Sequence, residues 1–431
     1  LLLICCLSYP HWMQAAPLSV ALDSESAVLI NADSGAILYE KNAHIERYPA
    51  STTKIATALY TLHLQGDQLD HLITAEHDAV ASISTEAKKR AHYTLPAHWL
   101  EPGGTHIGIK KGEALSLEDL LYGMMLASGN DAANVIAQYI GGTNANFVEE
   151  MNEYLKTIGC EKTFFCNPHG LHHPKHVTTA YEMALITKEA MRYPKFKEIV
   201  KTVRHPRPKT NKQDASILVQ TNRLLRPGKF YYSKAIGVKT GYTVNAQYTL
   251  SAAATQQGRT LIAVLMKSNE REKTLNDAKK LFEAAFNQTL VQRVLIKSGN
   301  QKYQLILDGA SKPIKTKIAS DVCIDFYPAE EPQLKCLLAW DSVKLPIHAD
   351  QKIGELQLIN EKGHIVKHVP VLAQEDVKTT WWHWIKQAFK KSNTEQKKEG
   401  NASPSRTILN KGFWLGLAFI LLTAFLWKMR R

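Results

Sequence analysis

The chain of 431 residues is predicted to be an α+β protein, with a small all-β module behind its main domain and an apolar anchor behind that. Three observations carry this. Up to about Gln288, short apolar runs alternate with segments of helical period. From Val294 to Leu372 only short strand-like runs separated by turn residues remain. Gly412–Trp427 holds no charged residue at all. A hydrophobic content of 45% with 22% charged residues is that of folded protein, which excludes a disordered or fibrous chain.

Taken in order, residues 1–16 read as the remnant of a secretory signal, with Gln14-Ala15-Ala16 offering small residues for cleavage; an apolar N-terminal strand is the alternative. The main domain is expected over residues 22–290. Within it, Ala27–Ile30 and Ile37–Tyr39, joined by NADSGA, read as a hairpin. Leu117–Ala127, Asp131–Ile140, Asn146–Ile158 and Thr179–Met191 read as helices, and Ala246–Ala253 and Arg259–Met266 as paired strands. Leu275, Ala278, Leu281, Phe282, Ala285 and Phe286 recur at helical spacing. The β module, residues 293–373, offers Lys302–Leu307, Val322–Tyr327, Lys335–Trp340, Glu355–Ile359 and Ile365–Leu372 as strands, with Glu361-Lys362-Gly363 turning the last two.

Charge is unevenly placed. Residues 378–431 hold eleven Lys/Arg against two Asp/Glu, +9 of the chain's +13. These bases flank an apolar run instead of covering a folded face, so a membrane is expected and nucleic acid is not. Trp381, Trp382, Trp384, Ile385 and Phe389 interleave with Lys378, Lys386, Lys390 and Lys391, which suits a helix lying on a membrane over residues 378–391. Residues 392–408 then form a polar linker, 409–427 a transmembrane anchor and 428–431 a basic tail. Lys428, Arg430 and Arg431 place that tail in the cytoplasm and the body on the other side. Cys160, Cys166, Cys323 and Cys336 suit an oxidising compartment, with three possible pairings and no CxxC spacing.

Three short motifs carry the chemistry: Ser51-Thr-Thr-Lys54, Ser128-Gly129-Asn130 and Lys239-Thr240-Gly241. A helix starting near Ser51 puts Lys54 one turn on, beside the core-facing Ile55, Ala58 and Leu62. Desolvation there disfavours the ammonium, and a neutral amine next to a hydroxyl is an activated serine nucleophile. Alternatively Ser51 only caps a helix and Lys54 lies on the surface. Ser128-Gly-Asn130 falls between two helices, where it presents a hydroxyl and an amide to a cleft or is an ordinary turn. In Lys239-Thr-Gly241 the glycine lets a substrate backbone lie close, and Lys239, Thr240 and Thr243 suit a terminal carboxylate. A β-turn with an exposed lysine is the plain alternative.

Together these residues resemble the set found in β-lactamases and penicillin-binding proteins, and most closely the low-molecular-mass D-alanyl-D-alanine carboxypeptidases of the S11 serine peptidase type. NADSGAILYEKNA, YPASTTKIATA, LLYGMMLASGNDAANVIA, NPHGLHHPKHVTTAYEMALI and IGVKTGYT all look like family segments, so the resemblance spans about residues 22–390. It implies a β-lactamase-like antiparallel sheet covered by helices. It also implies Ser51 as nucleophile toward the D-Ala-D-Ala bond of a peptidoglycan stem peptide, with Lys54 as base and Ser128 as proton relay. Asn130 would hold the substrate amide, while Lys239, Thr240, Gly241 and Thr243 would bind the substrate at its carboxylate end. The N–H groups of Ser51 and Tyr242 would form the oxyanion hole. β-Lactams would acylate Ser51, and no metal or organic cofactor is implied.

Two positions depart from the family pattern. Ala246-Gln247 stands where Ala-Gly is common, and Thr274 stands where many members carry an arginine, leaving Arg271 as a possible substitute. His169, His172, His173 and His176 have ligand-like spacing, but Pro174 breaks any helix there and the resemblance makes the segment a loop. Endopeptidase, transpeptidase or β-lactamase action at the same site are alternatives. A non-catalytic peptidoglycan-binding scaffold is another, of a different class.

Overall fold

A computed structural model describes residues 17–66, 68–360, 363–383 and 385–386. The expected signal remnant, linker, anchor and basic tail lie outside the described residues, as does most of 384–391. Among the described residues no helix is long and apolar enough to cross a membrane. The chain divides into two compact units, one holding the residues up to Arg293 with Asp325–Pro332, the other Val294–Ile324 and the residues from Gln333.

The first unit is built on a five-stranded antiparallel sheet in the order Ile37–Lys41, Ser26–Asn31, Arg259–Ser268, Gln247–Gln256, Ala235–Thr243. The N-terminal hairpin thus docks against the late strands, with Ile30 opposite Ile262. Alternation divides each strand between two cores. Val28, Ile30, Ile262 and Val264 join the core of the helical layer, whereas Ala27, Leu29, Leu261 and Ala263 pack with Leu281 and Phe282 of the helix Arg271–Phe286. Because both faces are covered, Ser26–Asn31 is buried at every position and its centre, Ala27–Ile30, reads as a continuous apolar run.

The helical layer holds Lys54–Gln65, Leu117–Met125, Asn130–Gly141, Asn144–Thr157, Ala180–Ala190 and Pro194–Lys201. Side-chain oxygens of Ser116, Thr143 and Thr179 accept from the N–H three residues on and cap three of these helices, each cap worth about 1 kcal/mol. Two short antiparallel strand pairs, Leu72–Thr74 with Ala114–Ser116 and Arg204–Arg207 with Ser216–Val219, are too brief to show a period in the sequence.

The second unit contains a five-stranded antiparallel sheet, ordered Gly299–Leu305, Ile314–Ile318, Ile365–Ala373, Lys352–Asn360, Leu334–Trp340. Ile314–Ile318 is a strand the sequence reading omits. Its inward positions are Ile314, Thr316 and Ile318, separated by lysines, so its apolar signal is weak. Val322–Phe326 pairs instead with Val291–Ile296. Trp381 and Trp382 are half exposed and stacked, with ring centroids 4.0 Å apart.

Candidate active site

Ser51 is the second residue of a single 3-10 turn, Ala50–Thr53, that runs directly into the helix Lys54–Gln65. In a 3-10 turn, residues three apart nearly eclipse. That geometry stacks Lys54 over Ser51, and Lys54 Nζ lies 2.9 Å from Ser51 Oγ. The helix is not merely amphipathic, as the sequence suggests: every residue from Lys54 to Leu62 is buried, because helices of the same layer enclose it.

Lys54 also donates to Asn130 Oδ1 at 2.6 Å and to the His169 carbonyl at 2.7 Å. Burial first, then the charge of Lys239, hold its pKa well below that of an ordinary lysine, while Asp131 opposes the shift. In the neutral amine, two N–H groups satisfy the two carbonyl oxygens. The lone pair is then left facing the longest of the three contacts, the Ser51 hydroxyl. This arrangement suits proton abstraction.

Asn130 opens the helix Asn130–Gly141. Its neighbour Asp131 is buried and accepts from the N–H groups of Ile107, Gly108 and Ile109, at 3.0, 2.8 and 2.9 Å respectively, which pins the segment that follows the cleft-lining Gly103–Thr105. Ser128 is nearly buried and has φ +63°, a left-handed backbone that only the surrounding packing sustains. Asp131 has no motif status in the sequence, and the His169 acceptor is a main-chain atom that no residue pattern reveals.

Lys239, Thr240 and Gly241 lie inside the nine-residue strand Ala235–Thr243 and not at a turn; the turn falls at Val244–Ala246. Gly241 pairs with Thr249, and a Cβ on it would stand 2.4 Å from Thr249 Oγ1 and 2.9 Å from the Ser51 nitrogen. The glycine is what lets this strand run alongside the serine. Ser51, Ser128, Asn130 and Thr240 through Thr243 all line a cleft of about 550 Å³. Lys54 and Lys239 are fully buried beneath. Lys239 Nζ donates to the Thr240 carbonyl at 3.0 Å; burial, then the Arg271 charge, push its pKa down to about 7.

Both departures from the family pattern have structural consequences. Gln247 takes φ +56° at the hairpin, a conformation that suits glycine. Gln247→Gly is therefore expected to stabilise the fold by about 0.5–1 kcal/mol, seen as a rise in Tm of a few degrees by calorimetry. Thr274 is buried and donates to the Glu270 carbonyl at 3.0 Å. Arg271, one turn earlier, lines the cleft and forms no ion pair among the described residues.

The histidine segment is a loop folded onto the helix start. Asn167 Oδ1 accepts from Gly170 N at 2.7 Å, His169 Nε2 meets the His98 carbonyl at 2.9 Å, and His176 Nε2 meets Thr53 Oγ1 at 2.8 Å. Gly170 has φ +91°, and a Cβ there would lie 1.9 Å from the Ala50 carbonyl oxygen. Among the described residues, Cys160, Cys166, Cys323 and Cys336 are unbridged; Cys160 is packed in the core with its thiol pKa pushed up by burial, and that of Cys166 is pushed up to about 11 for the same reason.

Residues 12–270 match the family model of the S11 peptidases, described as D-alanyl-D-alanine carboxypeptidase. The D-alanyl-D-alanine carboxypeptidase DacF of Bacillus subtilis is 32% identical over 370 residues, 83% of this chain and 87% of its own. The Escherichia coli carboxypeptidase DacD is 27% identical, over 84% of this chain and 89% of its own. Among solved structures, the Streptomyces K15 DD-transpeptidase superposes with a TM-score of 0.53 at 27% identity, covering 62% of this chain and 98% of that one. The DacD carboxypeptidase of Francisella tularensis shares the fold, with a TM-score of 0.57 at 23% identity, covering 86% and 98% of the two chains. By the family match over most of its length, this chain belongs to the S11 serine peptidases, the D-alanyl-D-alanine carboxypeptidase family.

Proposed function

We propose that the chain is a serine-type D-Ala-D-Ala carboxypeptidase that removes the terminal D-alanine from peptidoglycan stem peptides. The observation that carries this is the buried Lys54 amine, spanned by two carbonyl acceptors and directed at Ser51 Oγ. Ser51 Oγ attacks the carbonyl of the penultimate D-alanine while its proton passes to Lys54. The N–H groups of Ser51 and Tyr242 take the developing oxyanion. Ser128 relays the proton to the departing amine, Asn130 holds the substrate amide, and water then releases the acyl-enzyme.

The substrate carboxylate meets Thr240 and Thr243, with Lys239 as a buried charge behind Thr240 and Gly241 keeping the strand close. Arg271 supplies the guanidinium that the helix lacks at Thr274. Arg271→Leu is expected to raise KM about tenfold, the loss of roughly one charge-assisted hydrogen bond, with a smaller effect on kcat. It should also move the alkaline limb of the pH profile upward, because the Arg271 charge helps to depress Lys239. A pH series of steady-state rates checks both.

The uncharged run within 409–427 and its flanking bases support an anchor in the cytoplasmic membrane, with the body on the exoplasmic side. The segment 378–391 is then interfacial. Labelling with a penicillin followed by peptide mapping tests the central assignment. A stable adduct on Ser51 is expected, and an unlabelled Ser51 in a folded protein would contradict it.

A further inference from the structure

The mechanism above leaves His176 unused, although this residue is fully enclosed near the nucleophile. It reaches the 3-10 turn through a short chain of hydrogen bonds. The N–H of Cys166 donates to His176 Nδ1 at 2.9 Å, so the ring proton belongs on Nε2. Nε2 therefore donates to Thr53 Oγ1 across 2.8 Å. With that lone pair occupied, the Thr53 hydroxyl proton is directed to its own acceptor, the carbonyl oxygen of Ala50, at 2.9 Å. Every group in the chain is buried or nearly so.

The end point of this relay is the peptide unit between Ala50 and Ser51. A trans peptide is planar, so fixing the direction of the Ala50 C=O fixes the opposed direction of the Ser51 N–H. That N–H is one of the two oxyanion donors in the reading given above, on which this step rests. Ala50 itself has φ +50°, a strained conformation that needs outside support. The Gly170 backbone closes over the same carbonyl, and a Cβ on Gly170 would also stand 2.9 Å from Thr53 Oγ1.

We infer that His176 is a positioning residue of the oxyanion hole, which aims the Ser51 N–H through Thr53 and the Ala50 carbonyl. A core histidine with a purely structural role would need to hold only its own loop. Here the loop contact, to Cys166 N, and the nucleophile contact, to Thr53, use different ring nitrogens, so they can be separated. Burial, then His173, His172 and Lys54, depress the His176 pKa to about 3, which keeps the ring neutral and this tautomer available at working pH.

The test measures acylation of Ser51 by a chromogenic β-lactam, D-alanine release from a peptide ending in D-Ala-D-Ala, and Tm. The proteins are the wild type, His176→Phe, His176→Gln, His176→Asn, Thr53→Val and the double variant His176→Phe/Thr53→Val. Glutamine places its amide nitrogen where Nε2 lies and can still donate to Thr53; asparagine serves only the Cys166 side. His176→Phe and Thr53→Val are each expected to slow acylation about 10- to 100-fold with KM within about threefold, since an oxyanion donor acts on the transition state. His176→Gln should recover most of the rate and His176→Asn should not. The double variant should be no slower than the worse single one. The inference is overturned if folded His176→Phe acylates at the wild-type rate, if asparagine rescues as well as glutamine, or if the two losses multiply. A wild type that takes no acyl group at Ser51 would instead remove the carboxypeptidase reading, and this inference with it.

Discussion

Lys54→Met is expected to lower the rate of Ser51 acylation by about 10⁴-fold, the upper range for loss of a positioned general base. Methionine fills much of the same volume in the enclosed helix but brings no proton acceptor of use. It also strands Asn130 Oδ1 and the His169 carbonyl, the two oxygens that Lys54 satisfies. Stopped-flow acylation with a chromogenic β-lactam measures the rate, and retained far-UV circular dichroism separates chemistry from misfolding. In the wild type, kcat/KM should trace a bell. As pH falls, the depressed Lys54 amine takes up a proton and ceases to be a base, which forms the acid limb. As pH rises through about 7, Lys239 loses its charge and the substrate carboxylate is held less well, which forms the alkaline limb. Lys239→Gln should lose that alkaline limb while keeping the acid one. A profile with no acid limb in the wild type would remove Lys54 from the role of base.

Among the described glycines, Gly170→Ala is expected to be the most damaging substitution. The new Cβ would sit 1.9 Å from the Ala50 oxygen, 2.4 Å from its carbonyl carbon and 2.9 Å from Thr53 Oγ1, at a φ of +91° that alanine rarely adopts. Two of those atoms are main chain and cannot rotate aside. Either the loop lifts from the helix start or the Ala50–Ser51 peptide turns. A misplacement on the order of 1 Å at reacting groups costs roughly 10²-fold in rate, and the strain should cost about 2–4 kcal/mol of stability. Chemical denaturation and acylation kinetics on the same preparation check the pair of effects. A variant with wild-type stability and rate would show that the Gly170 contact is not obligatory.

Much of the site was legible because its chemistry is side-chain chemistry. A serine and lysine three residues apart before a helical run, and a lysine followed by Thr-Gly, name the candidate partners, although the strand that carries Lys239 and the burial of Lys54 emerge only in the structure. The sheet was legible in part too, since strands buried on both faces show as unbroken apolar runs such as Ala27–Ile30. What escaped the sequence was carried by the main chain or by long-range enclosure. The His169 carbonyl that receives Lys54 is available on any residue. Full burial of Lys54 depends on helices more than fifty residues away in the chain, which no local window contains. The histidine loop shows ligand-like spacing in the sequence, yet His169 and His176 spend their nitrogens on backbone and threonine partners. Gln247 looks like a neutral substitution until its φ of +56° is known. Ile314–Ile318 was missed because lysines and a buried threonine mask its alternation.

The most direct measurement is release of D-alanine from a peptide ending in Lys-D-Ala-D-Ala, by wild type and Ser51→Ala, beside nitrocefin turnover by the same two proteins. Release by wild type alone, with little nitrocefin hydrolysis, is the predicted result and fixes both reaction and nucleophile. Rapid nitrocefin turnover without D-alanine release, or release that survives Ser51→Ala, would contradict the account.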